Sequence, residues 1–91
     1  MSAAYDPLFE ALSDNVRRDI IKLLKEQEQC ASEIHSNFYA SRTAISYHLG
    51  LLLKAGIIKV RKEGRNLYYS LDPSKLEEYL TQFSEEFTPA R

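Results

Sequence analysis

Two sets of side chains in this 91-residue chain could carry chemistry. The first is Cys30, His35 and His48. One cysteine cannot form an internal disulfide, and it excludes any zinc site that takes two cysteines from one chain. Cys30 and His35 lie five positions apart, so on a helix they would stand roughly 140° apart and face different sides. Neither histidine is spaced with Cys30 or a serine as a nucleophile pair, and Gly50, Gly56 and Gly64 make no phosphate loop. No catalytic residue, metal site or cofactor is therefore expected. Cys30 reads as a small buried hydrophobe, His48 as a hydrogen-bonded core histidine, and His35 as a partly exposed polar side chain.

The second set is Arg42, Thr43, Ser46 and Tyr47, which share one side of a helix, with Ser41 before them as its N-cap. Short hydrogen-bonding side chains and a cation on the first turns are what a helix needs to meet base edges in a DNA groove. The helix N-terminus itself attracts phosphate. The charge distribution adds to this picture. Residues 41–66 hold six bases (Arg42, Lys54, Lys59, Arg61, Lys62, Arg65) against one acid, Glu63, a net of +5, whereas the whole chain carries −1. A basic island in an acidic chain suits a polyanion, although charge alone fits a solvated stretch equally well.

Positioning these residues requires a scaffold. The length and an apolar content of 44% allow a single globular domain, residues 1–91, mainly α with a small β-hairpin. Asp6-Pro7 starts a short helix with Leu8, Phe9 and Leu12 on one side. Ser13 or Asp14 caps the next, whose apolar positions are Val16, Ile20, Ile21, Leu23 and Leu24, with Arg17, Arg18, Lys22 and Lys25 largely outside. A third short helix is predicted from Cys30 to Phe38, with Ala31 and Ile34 turned inward. The fourth, about 41–55, buries Ile45, His48, Leu49, Leu52 and Leu53, and Gly56 ends it. IIKVRK and NLYYSL then alternate as two strands of a wing, about 57–72, with Glu63-Gly64 at the tip. Tyr68 and Tyr69 are expected to pack the wing onto the body. Asp72-Pro73-Ser74 restarts a helix that carries Leu76, Tyr79, Leu80, Phe83 and Phe87 at i, i+3, i+4, i+7 and i+11. The longest apolar run, around Leu49 to Leu53, is too short to cross a bilayer, and the opening residues do not read as a secretory signal, so the expectation is a cytoplasmic protein with no membrane partner.

Two short helices joined by a tight turn, the second polar outside, followed by a basic hairpin, describe a winged helix-turn-helix (α-α-α-α-β-β-α). LFEALSDNVRRDIIKLL (8–24) and SRTAISYHLGLLLKAGIIKVRKEGRNLYYSL (41–71) resemble the ArsR/SmtB family of winged-helix transcriptional repressors. The resemblance extends loosely over the last helix. It departs where the family's usual SDPTR reads Ser13-Asp14-Asn15-Val16-Arg17, which loses a proline at the helix start. It implies a homodimer through the first and last helices (about 5–13 and 74–87), with Leu8, Phe9, Leu12, Leu76, Tyr79, Leu80, Phe83 and Phe87 at the interface.

The resemblance also implies a palindromic, inverted-repeat operator in double-stranded DNA, contacted by Ser41, Arg42, Thr43, Ser46 and Tyr47 and by Arg61, Lys62 and Arg65 of the wing. Arg17 or Arg18 is expected either to touch phosphate or to form a surface salt bridge. Family metal sites use a Cys-x-Cys at the third helix or Asp and His pairs on the last. Here the former keeps Cys30 but has Ser32, and the last helix has no histidine. The Arg17-Arg18 pair and this missing ligand set are most similar to the SdpR-type autorepressors. Three readings follow: a repressor without a metal inducer, the same repressor switched by metal or thiol chemistry, and a winged-helix module that binds protein instead of DNA.

Overall fold

A computed structural model describes residues 6–89 of the chain. The elements are α1 (Asp6–Leu12), α2 (Asn15–Glu26), β1 (Gln29–Cys30), α3 (Ala31–Ser36), α4 (Arg42–Ala55), β2 (Ile58–Glu63), β3 (Asn66–Leu71) and α5 (Pro73–Phe87). The winged helix-turn-helix architecture is as expected, with position 5 of the first helix lying outside the described residues.

Local chemistry explains the helix boundaries. Asp14, not Ser13, caps α2: its carboxylate accepts the Val16 and Arg17 N–H groups at 2.8 and 3.3 Å. Ser41 caps α4 by accepting the Ala44 N–H at 3.0 Å. At the other end of α4, Gly56 takes φ 77°, its N–H bonds the Leu53 carbonyl, and Ile57 N–H bonds the Leu52 carbonyl. This pair of bonds is a Schellman motif, and it satisfies carbonyls that would otherwise be orphaned. The Tyr79 hydroxyl donates to a third, the Ala55 carbonyl, at 2.8 Å, which ties α5 to the end of α4.

The sheet differs from the expected two-stranded ribbon. Its order is β1-β3-β2, and all pairs are antiparallel. Gln29 pairs Tyr69 and Cys30 pairs Tyr68, so the segment before α3 begins as an edge strand and α3 starts one residue later than expected. A two-residue strand has no readable period; its partner creates it. The hairpin tip also shifts by one residue. Glu63 pairs Asn66, so Gly64 and Arg65 form the loop, and Gly64 alone has a positive φ, 62°. Glycine at the first central position is the type II′ requirement.

The core joins Leu8, Ala11, Ile20, Leu24, Ile34, Ile45, Leu49, Leu52, Ala55, Ile57, Ile58, Tyr69 and Tyr79. Of α5, only Tyr79 is buried. The described residues span 52 × 23 × 22 Å with a radius of gyration of 14.4 Å, against about 12 Å for a compact chain of this length.

Candidate nucleic-acid interface

α4 presents two unlike sides. Ile45, Leu49 and Leu52 are buried and fix its orientation, while Arg42, Thr43, Ser46 and Tyr47 are exposed on the opposite side. Their helical spacing sets them in one stripe over the first two turns. Ser41 keeps a hydroxyl proton to donate while its oxygen serves the cap. The turn leading into α4 adds Tyr39, which projects fully into solvent. Its neighbour Phe38 instead packs inward against the core.

The wing is anchored at its base and free at its tip. Ile58 and Tyr69 are buried, but Val60 and Leu67 on the same face are exposed, so the outer half stands away from the body. Tyr69 packs the wing inward as expected. Tyr68 lies on the other face, beneath the Arg61 guanidinium, 4.7 Å from the ring centroid. Arg61, expected as a DNA contact, is exposed but already engaged within the subunit. Its Nε and Nη2 form a bidentate pair with Glu28 at 3.0 and 2.8 Å, and Nη1 meets Glu63 at 2.6 Å. Glu28 immediately precedes β1, so the pair ties the edge of the sheet to the wing across β3. A fork held by two carboxylates has little left for phosphate. Lys62 and Arg65 are exposed and have no ion-pair partner among the described residues.

Arg17 is the second departure. It is 7% exposed, not on the outer side of α2. Nε donates to the Ala11 carbonyl at 3.1 Å, and Nη2 donates to the Glu10 carbonyl at 2.9 Å and to Ser13 Oγ at 3.2 Å. Nη1 donates to His48 Nδ1 at 2.9 Å. These bonds compensate the buried charge, and they remove Arg17 from any phosphate contact. A signal was present: 17, 20 and 24 are one helical stripe, the buried one. Arg18 stays exposed and donates to the Leu12 carbonyl. His48 is the expected hydrogen-bonded histidine, with Asp14 Oδ2 a further 4.0 Å contact.

Cys30 is half-buried at the start of α3 and not in the core, with Sγ 3.2 Å from Ser32 Oγ. Its N–H is accepted by Glu33 at 2.8 Å. His35 is half-buried, as expected. Among the described residues, no three of His, Cys, Asp and Glu come together as a metal-binding group, and no helix is long and apolar enough to cross a membrane.

Several carboxyls are held below their ordinary range. For Glu28 the main cause is the Arg61 hydrogen bond, for Glu33 the Cys30 N–H, and for Asp72 the Ser74 hydroxyl. At Asp14 desolvation is the largest influence and acts upward, but the Arg17 and Val16 N–H groups, with the Arg17 charge beside them, outweigh it. Depressed folded-state values mean that the unfolded chain binds more protons in acid. The stability these groups contribute is complete above about pH 4.5 and is lost as pH falls through the carboxylate range. Thermal melts are expected to be flat in this respect above that pH and to drop below it, and Glu28→Gln should flatten part of the drop.

A helix-turn-helix with an exposed polar reading face and a projecting wing defines the class of winged-helix duplex binders. Residues 14–60 match the family model for the bacterial regulatory protein arsR family. The chain is 38% identical over 71 residues to the transcriptional repressor SdpR of Bacillus subtilis (strain 168), covering 78% of this chain and 79% of that protein. It is 40% identical over 72 residues to the cadmium resistance transcriptional regulatory protein CadC homolog of Staphylococcus aureus, covering 78% of this chain but 60% of that one. Among solved structures, an ArsR-like transcriptional regulator from Rhodococcus sp. RHA1 superposes with a TM-score of 0.82 at 29% identity, covering 90% of this chain and 75% of that one. A crystal structure described as a possible transcriptional regulator for arsenical resistance gives 0.77 at 37% identity, covering 89% and 84%. The chain therefore belongs to the arsR family: it is a DNA-binding transcriptional regulator and not an enzyme.

Proposed function

We propose that the chain represses transcription as a homodimer bound to an inverted-repeat operator, with no metal inducer. The observation that carries this reading is the two-sided α4, buried through Ile45, Leu49 and Leu52 and open through Arg42, Thr43, Ser46 and Tyr47. The dimer pairs through α1 and α5. Phe9, Leu80, Phe83 and Phe87 supply the contact, at 48, 59, 40 and 59% exposed. Leu8 and Tyr79 are already spent in the subunit core, and Leu12 and Leu76 pack partly against it, so these four of the expected interface residues act mainly inside the subunit. An isologous pair presents two reading helices about 34 Å apart, to successive major grooves. Occupancy of the operator then blocks the polymerase.

Selection of bound duplexes from a random pool tests the reading, and an enriched inverted repeat is the expected result. Absence of any enriched sequence would favour a protein-binding module. Unchanged affinity with zinc or an oxidant is expected; a shift would favour a metal or thiol switch at Cys30. With Arg61 engaged, Arg42, Lys62 and Arg65 of each subunit, about six cations in all, give a slope of log K against log salt of roughly −5. Arg42→Ala should relax sequence preference, whereas Lys62→Ala should weaken all sequences alike and reduce the slope by about one per subunit. The reverse pattern would exchange the two roles.

A further inference from the structure

We propose that Arg17 and His48 form an internal bracket that fixes the angle between α1 and the recognition helix α4, and thereby sets which half-site spacing the dimer accepts. The inference rests on the proposed dimer. One guanidinium takes the last carbonyls of α1, Glu10 at 2.9 Å and Ala11 at 3.1 Å, together with Ser13 Oγ at 3.2 Å. Its remaining arm reaches His48 Nδ1 in α4 at 2.9 Å. The planar fork holds these directions rigid in a way that a flexible ammonium would not.

α1 is also the helix that carries Phe9 toward the proposed partner, and it packs closely on α4. Any rotation of α4 on α1 is therefore carried to both ends of the dimer and doubled by the two-fold axis. A base pair adds about 3.4 Å of rise and about 34° of twist. A small change of angle at each subunit is then enough to blur the distinction between neighbouring spacings. The bracket also accounts for two sequence features that DNA contact leaves unexplained: the arginine three residues after the Asp14 cap and the histidine within ISYHL. Neither side chain faces the duplex. Arg17 is buried, and His48 lies between Arg17, Asp14 and the edge of Tyr47. Both are positioning residues.

The test uses the duplex recovered by the wild-type protein, and the same duplex with a base pair added or removed at its centre, in anisotropy titrations at fixed salt. His48→Leu is expected to bind the recovered duplex about tenfold more weakly, the size of one lost hydrogen bond to a charged group, and to discriminate the three spacings by no more than about twofold. His48→Asn places an amide oxygen near the position of Nδ1 and is expected to restore both affinity and discrimination. Arg17→Met should match His48→Leu, and the double variant should be no worse than either single one.

Dimer mass by light scattering should be unchanged throughout. His48→Leu retaining the wild-type spacing ratio would overturn the bracket. So would an equal loss on all three duplexes, because simple destabilisation lowers the active fraction and leaves the ratio intact. Should Arg17→Met fail to fold, the two substitutions at half-buried His48 decide the matter alone. A wild-type protein that recovers no duplex would count against the proposed function instead.

Discussion

Phe83→Asp is expected to yield a folded monomer that has lost specific DNA binding. Phe83 lies at the centre of an aromatic run: its ring meets Phe9 of α1 edge-on at 6.0 Å and Phe87, one turn along α5, at 4.7 Å. It therefore joins the two helices of the proposed interface, yet 40% of its surface is open. Burying such a ring against a partner contributes roughly 1.5–3 kcal/mol, and the two-fold axis counts it twice. A carboxylate there forfeits that gain and sets two like charges against each other at the seam. The subunit core, with none of its members beyond Tyr79, should survive. Without the partner, the second half-site no longer binds as an intramolecular event, so specific affinity should fall by upward of about 100-fold. Sedimentation and circular dichroism separate the cases: half the wild-type mass with a wild-type helical spectrum is expected. A dimer of full mass would move the interface elsewhere.

The sequence carried the reading helix well because each of its signals is local. A serine before the first turn, apolar residues at helical spacing and a glycine at the end are the features that satisfy the backbone there, and Ser41, Ile45, Leu49, Leu52 and Gly56 all do what their types imply. Most of the misread features depend on a partner that the local pattern does not show. β1 is a strand only because Tyr68 and Tyr69 arrive beside Gln29 and Cys30. Arg61 looked like a phosphate contact because its charge is visible in the sequence while its pairing with Glu28, 33 residues earlier, is not. Arg17 looked exposed because arginine usually is; the carbonyls at the end of α1 and the Nδ1 of His48 supply the acceptors that make burial favourable. The interface list mixed core and surface for a related reason. Spacing tells which residues share a side of a helix, but Leu8 and Tyr79 turn to the subunit's own core while Phe9 and Leu80 turn away from it.

Ile45→Ala is expected to have the largest effect on stability. Ile45 is wholly buried on the underside of α4, among the bulkiest side chains of the core. Truncating it removes three carbons' worth of burial and leaves a cavity where the surrounding core relaxes only in part; the cost is about 2–5 kcal/mol. A domain of this size has roughly 5–15 kcal/mol in total, so the melting temperature should fall by upward of about 10 °C. Ser46, the next residue, points the other way, and Ser46→Ala should change the melting temperature little while weakening the recovered duplex. The pair separates scaffold from reader within a single turn of helix. Saturating Ile45→Ala with the recovered duplex should raise its melting temperature again by mass action, since only the folded form binds. A variant that melts like the wild type would mean that α4 is held by something other than its buried stripe, and a normal melt with lost binding would place Ile45 on the reading side.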